Sequence, residues 1–114
     1  MTLNKVTLIG RLGTEPELKC TKTGKSVCML NIGTGKGEEK TEWHRVLLWD
    51  KQAETASKYL KKGSQVYVEG KLQTRSWEDK GQKRYSTEIN GSVVHFLDSA
   101  NKEQSESKYD DIEF

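Results

Sequence analysis

Apolar residues along this chain recur at every second position, and the rhythm gives way to a helical one only once. In "NKVTLIGRL", Val6, Leu8, Gly10 and Leu12 fall on one face, and Lys5, Thr7, Ile9 and Arg11 fall on the other. That is the period of a strand with one side buried. "GTEPE", around the only proline, Pro16, ends it. "ELKC" and "SVCMLNIG" then flank "TKTG", a hairpin signal. "GTGKGEEK" reads as a flexible loop, and "TEWHRVLLWD" as the next strand.

The break comes at "DKQAETASKYLKKG", where Ala53, Ala56 and Leu60 recur at helical spacing. Asp50 is placed to cap the start, Lys58, Lys61 and Lys62 complement the dipole at the end, and Gly63 can close the helix in the left-handed conformation. Period two resumes in "SQVYVEGKLQTRSW", with Val66, Val68 and Leu72 expected inward, and in "YSTEINGSVVHFL" after the loop "EDKGQKR". Counted this way, three strands, one helix and two strands fit an all-β five-stranded Greek-key barrel of the OB-fold type. Pattern alone also fits a sandwich or an SH3-like barrel. From Asp98 onward periodicity vanishes. The expected organisation is therefore a barrel domain over residues 1–98 and a disordered linker with an acidic tip over residues 99–114.

A chain of 114 residues with 32% apolar content supports one domain with a small core, so oligomerisation would help it. No run of about 18 apolar residues suggests a membrane span. Met1 to Lys5 lacks a leader pattern, which leads us to expect a cytoplasmic protein with free thiols at Cys20 and Cys28. A cross-strand disulfide between those two cysteines is the alternative. Their spacing, with only His44 and His95 available, makes a poor zinc set.

Charge is divided along the chain. Residues 1–98 hold 17 basic and 12 acidic residues, a net of +5, whereas residues 99–114 carry a net of −3. A basic body suits a polyanion partner, although solvated surface charge would look the same. Enzyme signatures are missing: there is no glycine-flanked nucleophile elbow, and "GTGKGEEK" lacks the spacing and context of a phosphate loop. We expect neither catalysis nor a cofactor.

The aromatics carry more information. Trp43 and Trp49 are six residues apart on one strand, hence on one face and roughly 20 Å apart, with Arg45 between them. Tyr67, Lys71, Arg75 and Trp77 share a face of the later strand. Rings interleaved with Arg and Lys form a stacking platform for unpaired bases, with cations for the phosphate backbone. Lys5, Arg45, Lys51, Lys62, Lys71 and Arg75 are the candidate backbone contacts. A single Trp is more often buried packing than a binding residue; the grouping with charged neighbours, Glu42 and Glu78, favours the platform. Tyr59 and Tyr85 are expected to pack, and His44 points away from Trp43.

At these residues the chain resembles the bacterial single-stranded DNA-binding protein family. The stretches are "LNKVTLIGRLGTEPEL", "TEWHRVLLWDKQAETASKYLKKGSQVYVEGKLQTRSW" and "RYSTEI", in the family's order across residues 3–97. The resemblance implies an OB-fold, usually a homotetramer, that coats single-stranded DNA without sequence preference in replication, recombination and repair, at the nucleoid. It implies stacking by Trp43, Trp49 and Trp77, and a place for His44 at a subunit contact. "DDIEF" looks like the family's partner-binding tip, here Asp110, Asp111, Ile112, Glu113 and Phe114, which implies recruitment of replication and repair enzymes. Two departures stand out. "GTGKGEEK" holds no aromatic where well-studied members carry another stacking Trp, and Glu113 stands where the usual tip has Pro. A primosome-type OB protein would lack that tip, and a cold-shock type would need a different cluster of strand aromatics.

Overall fold

The alternation in Val6–Leu12 is realised as β1, whose even residues face the interior of a barrel. The computed structural model describes residues 1–37 and 40–97. The linker and the tip residues Asp110 to Phe114 lie outside that range. After β1 come β2 (Glu17–Cys20), β3 (Ser26–Thr34), β4 (Glu42–Trp49), α1 (Asp50–Tyr59), β5 (Gln65–Asp79) and β6 (Gln82–Phe96). The sheet order is β1-β5-β6-β4-β3-β2. β1 leaves β5 and also pairs with β3 through Arg11 with Gly33 and Leu12 with Ile32, which closes the barrel. This is the OB-fold.

Four strands precede the helix, not three. "ELKC" forms a strand of its own, an exposed four-residue partner on the rim of β3. Its register sets Cys28 opposite Leu18 and Cys20 opposite Ser26, so the two cysteines are not cross-strand partners, and both thiols are free. Cys28 is buried, and burial raises its thiol pKa.

The core consists of the inward residues of the strands and one helix face. Cys28, Leu30, Ile32, Val46, Leu48, Val66, Ala53 and Ala56 are all fully buried. Each large aliphatic among them contributes about 1.5–3 kcal/mol by leaving water. The helix needs small residues because it lies across the end of the barrel, against β3 and β4. Asp50 does not cap it. The N-cap position is Trp49, without a side-chain cap bond, and Asp50 itself takes φ +53 to turn the chain directly from β4 into α1. Asp tolerates that conformation better than most residues. Helical bonding ends at Leu60, and Gly63, at φ +92, serves the turn that follows, where Ser64 N donates to Lys61 O.

β5 and β6 run longer than the sequence suggested. The connection is only Lys80 and Gly81, at φ +53 and +79, between Asp79 and Gln82. Two consecutive positive φ values match the type I′ turn that follows strand twist. "EDKGQKR" is thus mostly strand. The pair projects beyond the barrel as an arm, exposed on β5 from Lys71 to Asp79. Leu72, expected inward, is 51% exposed because the barrel ends at Gly70. A bulge marks the departure: Glu69 pairs with Val93 and Gly70 with Gly91, leaving Ser92 extra. Ser92 Oγ donates to Glu69 O, and Gln52 donates to Ser92 O.

Candidate nucleic-acid interface

Odd-numbered residues of β4 point outward. Trp43, Arg45, Leu47 and Trp49 therefore share the outer face, opposite Gly33, Asn31, Met29 and Val27 of β3. Trp43 is 58% exposed, and its ring lies against the backbone of two glycines. A Cβ on Gly33 would come within 2.9 Å of Trp43 Cζ3, and one on Gly13 would overlap the same edge of the indole. The two glycines form the floor under the ring. Trp49 is half-buried, and its Nε1 donates to Asn90 Oδ1 at 3.1 Å.

The arm continues this face. Lys71, Gln73, Arg75 and Trp77 on β5 stand opposite Asn90, Glu88, Ser86 and Arg84 on β6. Arg45 Nη1 donates to Ser86 Oγ at 3.3 Å, which with the Trp49–Asn90 bond ties β4 to β6 of the arm, and within the arm Asn90 Nδ2 donates to Gln73 Oε1 at 3.3 Å. Trp77 is 40% exposed, with the Arg75 guanidinium carbon 4.8 Å from its ring centroid. Arg75 also forms a two-bond fork with Glu88.

On the other side of Trp43 a groove of about 640 Å³ runs over the barrel mouth, lined by Trp43, Thr41, the glycines 10, 13, 33, 35, 37 and 63, Arg11 and Lys62 among others. Arg11 Nη1 donates to Gly63 O, which ties the groove wall to the turn after α1. Trp43, Trp49, Trp77, Arg45, Lys62, Lys71 and Arg75 thus surround one continuous outer surface.

Lys5 and Lys51 stand apart from it. Lys5 Nζ lies 3.7 Å from Glu69 Oε1, beside β1. The Tyr67 hydroxyl also donates to Glu69 and, with Lys5, holds that carboxyl below the usual carboxylate range. Lys51 lines a groove of about 430 Å³ between α1 and β6, with Gln52, Thr55, Val94, His95 and Phe96. His44 lies on the inward alternation of β4, half-buried, its Nε2 2.9 Å from Thr34 Oγ1.

Tyr59 and Tyr85, expected to pack, are 62% and 63% exposed. Each instead has a lysine near its ring, Lys58 and Lys83. Gly13, Gly33, Arg11, Arg84 and Asn90 belong to the surface but were not singled out from sequence. Register reveals three of them, with Arg84 across from Trp77, Gly33 across from Trp43, and Asn90 beside Leu47, while Gly13 shows in its contact with the Trp43 ring and Arg11 in the groove. Among the described residues no group of three or more His, Cys, Asp or Glu could hold a metal ion.

The family described as "Single-strand binding protein family" matches residues 3–97. A curated relative, the single-stranded DNA-binding protein 1 of Chlorobaculum tepidum, is 52% identical over 97 residues, covering 76% of this chain. The chain spans about 60% of that relative's length.

Proposed function

The chain belongs to the single-strand binding protein family, and we propose that its barrel and arm bind single-stranded DNA without sequence preference, acting by binding and not by catalysis. The observation that carries this is the single outer surface on which exposed Trp43 and Trp77 alternate with Arg and Lys. Flat rings accept any base, and the cations follow the phosphates. Neither feature reads base edges, so preference should be for strand state and not for sequence. Competition of oligo(dT) against RNA and duplex DNA tests it. Equal displacement by duplex would sink the reading.

Salt supplies a second test. For single strands the affinity exponent is about −0.7 per neutralised phosphate. Arg45, Lys62 and Lys71 flank the aromatics, and removing any one is expected to flatten the slope by about that amount. Lys5 and Lys51 stand away from the aromatics, so Lys5→Ala and Lys51→Ala should leave the slope nearly unchanged. A flat log–log plot for the unaltered protein would remove the electrostatic share altogether.

The resemblance supports a homotetramer, and presenting several barrels to one strand multiplies a modest per-site affinity. β1 offers a further reason: among the described residues, its positions from Val6 to Gly10 pair with β5 alone. His44→Asp is expected to weaken assembly before it alters the fold. Sizing at micromolar concentration that returns a monomer for the unaltered chain would end the proposal.

The wider role we assign is protection of single strands during replication, recombination and repair, at the nucleoid in the cytoplasm. Asp110, Asp111, Ile112, Glu113 and Phe114 would recruit partner enzymes. Two apolar residues among carboxylates suit a partner with an apolar pocket and a basic rim. Deleting residues 107–114 should leave oligo(dT) affinity unchanged or slightly higher at low salt, and abolish capture of purified replication and repair enzymes. Crippled DNA binding, or undiminished capture, would show that the tip is not a hook for partners.

A further inference from the structure

The cation nearest an exposed indole is already committed. Arg75 Nε lies 3.3 Å from Glu88 Oε1, and Nη2 lies 3.2 Å from Oε2, a side-on fork. Glu88 is only 3% exposed, against 54% for the Arg75 side chain. The same guanidinium lies 4.8 Å from the centroid of Trp77. Strand register makes this possible. Arg75 is opposite Ser86, so Glu88 is its diagonal neighbour on the barrel side, and Trp77 is two residues further out on the same face. A planar, rigid cation can satisfy both at once, through its donor edge and through its face.

Each partner needs the other. A carboxylate as buried as Glu88 requires a fixed counter-charge. A tryptophan on a two-stranded arm has no core to fix its rotamer, and ordering it on contact would oppose binding. We infer that Arg75 and Glu88 are positioning residues that hold Trp77 ready to stack, and that the charge of Arg75 is balanced within the arm and not offered to a phosphate. This deepens the single-strand reading above and rests on it.

The two roles for Arg75 give opposite signs for Glu88→Gln. If Arg75 were a phosphate contact, removing the competing carboxylate would free it, tighten binding and steepen the salt slope. If it is a bracket, binding weakens although the surface has become more positive.

The test uses the full chain with Glu88→Gln, Arg75→Lys and Trp77→Ala, titrated with oligo(dT) over a range of salt. Glu88→Gln and Arg75→Lys are each expected to weaken binding about three- to tenfold, part of the value of one stacked base. The slope should change by less than the roughly 0.7 that one lost phosphate contact would produce. Both should be silent in a Trp77→Ala background. A second measurement needs no DNA: with Trp43→Phe and Trp49→Phe leaving Trp77 as the lone tryptophan, acrylamide quenching should rise in both variants. Tighter binding with a steeper slope in Glu88→Gln overturns the inference. Unchanged quenching overturns it too, whatever the titrations show. If the unaltered chain fails to bind oligo(dT), the functional reading falls, and quenching alone decides whether the bracket exists.

Discussion

Trp43→Ala and Trp77→Ala are each expected to weaken oligo(dT) binding by about 1–3 kcal/mol, the worth of one base stacked on an aromatic ring. That is roughly a five- to 150-fold rise in Kd. Trp43 should sit at the upper end. Its ring lies on the backbone of Gly13 and Gly33, which leaves one face open and gives a stacked base a rigid support. Trp77 already shares a face with Arg75, so its other face is the one available. Trp49→Ala should matter less for DNA and more for the fold, because that indole is half-buried and bonded to Asn90. The two indoles form no aromatic pair among the described residues, so their effects should add to within about 0.5 kcal/mol. Neither is core, and thermal stability of both variants should stay within about 0.5 kcal/mol of the unaltered chain. Quenching of intrinsic fluorescence by oligo(dT) provides the titration. Wild-type affinity in both variants would show that the platform is misplaced.

The alternation and the one helical interval narrowed the chain to a small all-β domain with one helix, and the resemblance selected the OB barrel over a sandwich or an SH3-like barrel. Periods of two and 3.6 report directly on which side of an element is wet. Faces were legible for the same reason: the parity of Trp43, Arg45 and Trp49 decides that they point together. What parity cannot report is where a strand leaves the core. Leu72 keeps the parity of Val66 and Val68 yet is exposed, because the strand runs on past Gly70 into the arm. Nor can it report the register between paired strands. Arg75 looked like a free cation until register placed Glu88 diagonally across from it. Asp50 looked like a cap because Asp usually is one; here there is no loop between β4 and α1, and the corner itself needs a residue that tolerates positive φ. Tyr85 looked like packing because rings mostly are, but the arm has no interior to receive it.

Glycines on either side of the barrel seam should separate fold from site. Gly10→Ala is expected to cost about 1–3 kcal/mol of stability, as overpacking does, and to lower Tm by about 4–8 °C for each kcal/mol. Its Cβ would overlap Gly33 O and meet Ile32 Cγ2 at 2.7 Å. Neither can yield easily, because Gly33 pairs with Arg11 where β1 crosses to β3 and closes the barrel, and Ile32 is fully buried. Gly13, three residues on, faces a different obstacle. Its Cβ would meet the six-membered ring of the Trp43 indole, at Cζ3, Cη2 and Cε3. An exposed ring can swing aside. Neither glycine has a positive φ, so alanine strains neither backbone, and only the contacts differ. Gly13→Ala should therefore keep Tm to within about 0.5 kcal/mol equivalent and lose oligo(dT) affinity nearly to the level of Trp43→Ala. In a Trp43→Ala background Gly13→Ala should change nothing, since the ring it displaces is gone. Thermal melts and oligo(dT) titrations on the four proteins decide it. If Gly13→Ala melts as early as Gly10→Ala while binding normally, the glycine serves the seam, and Trp43 does not depend on it for its seat.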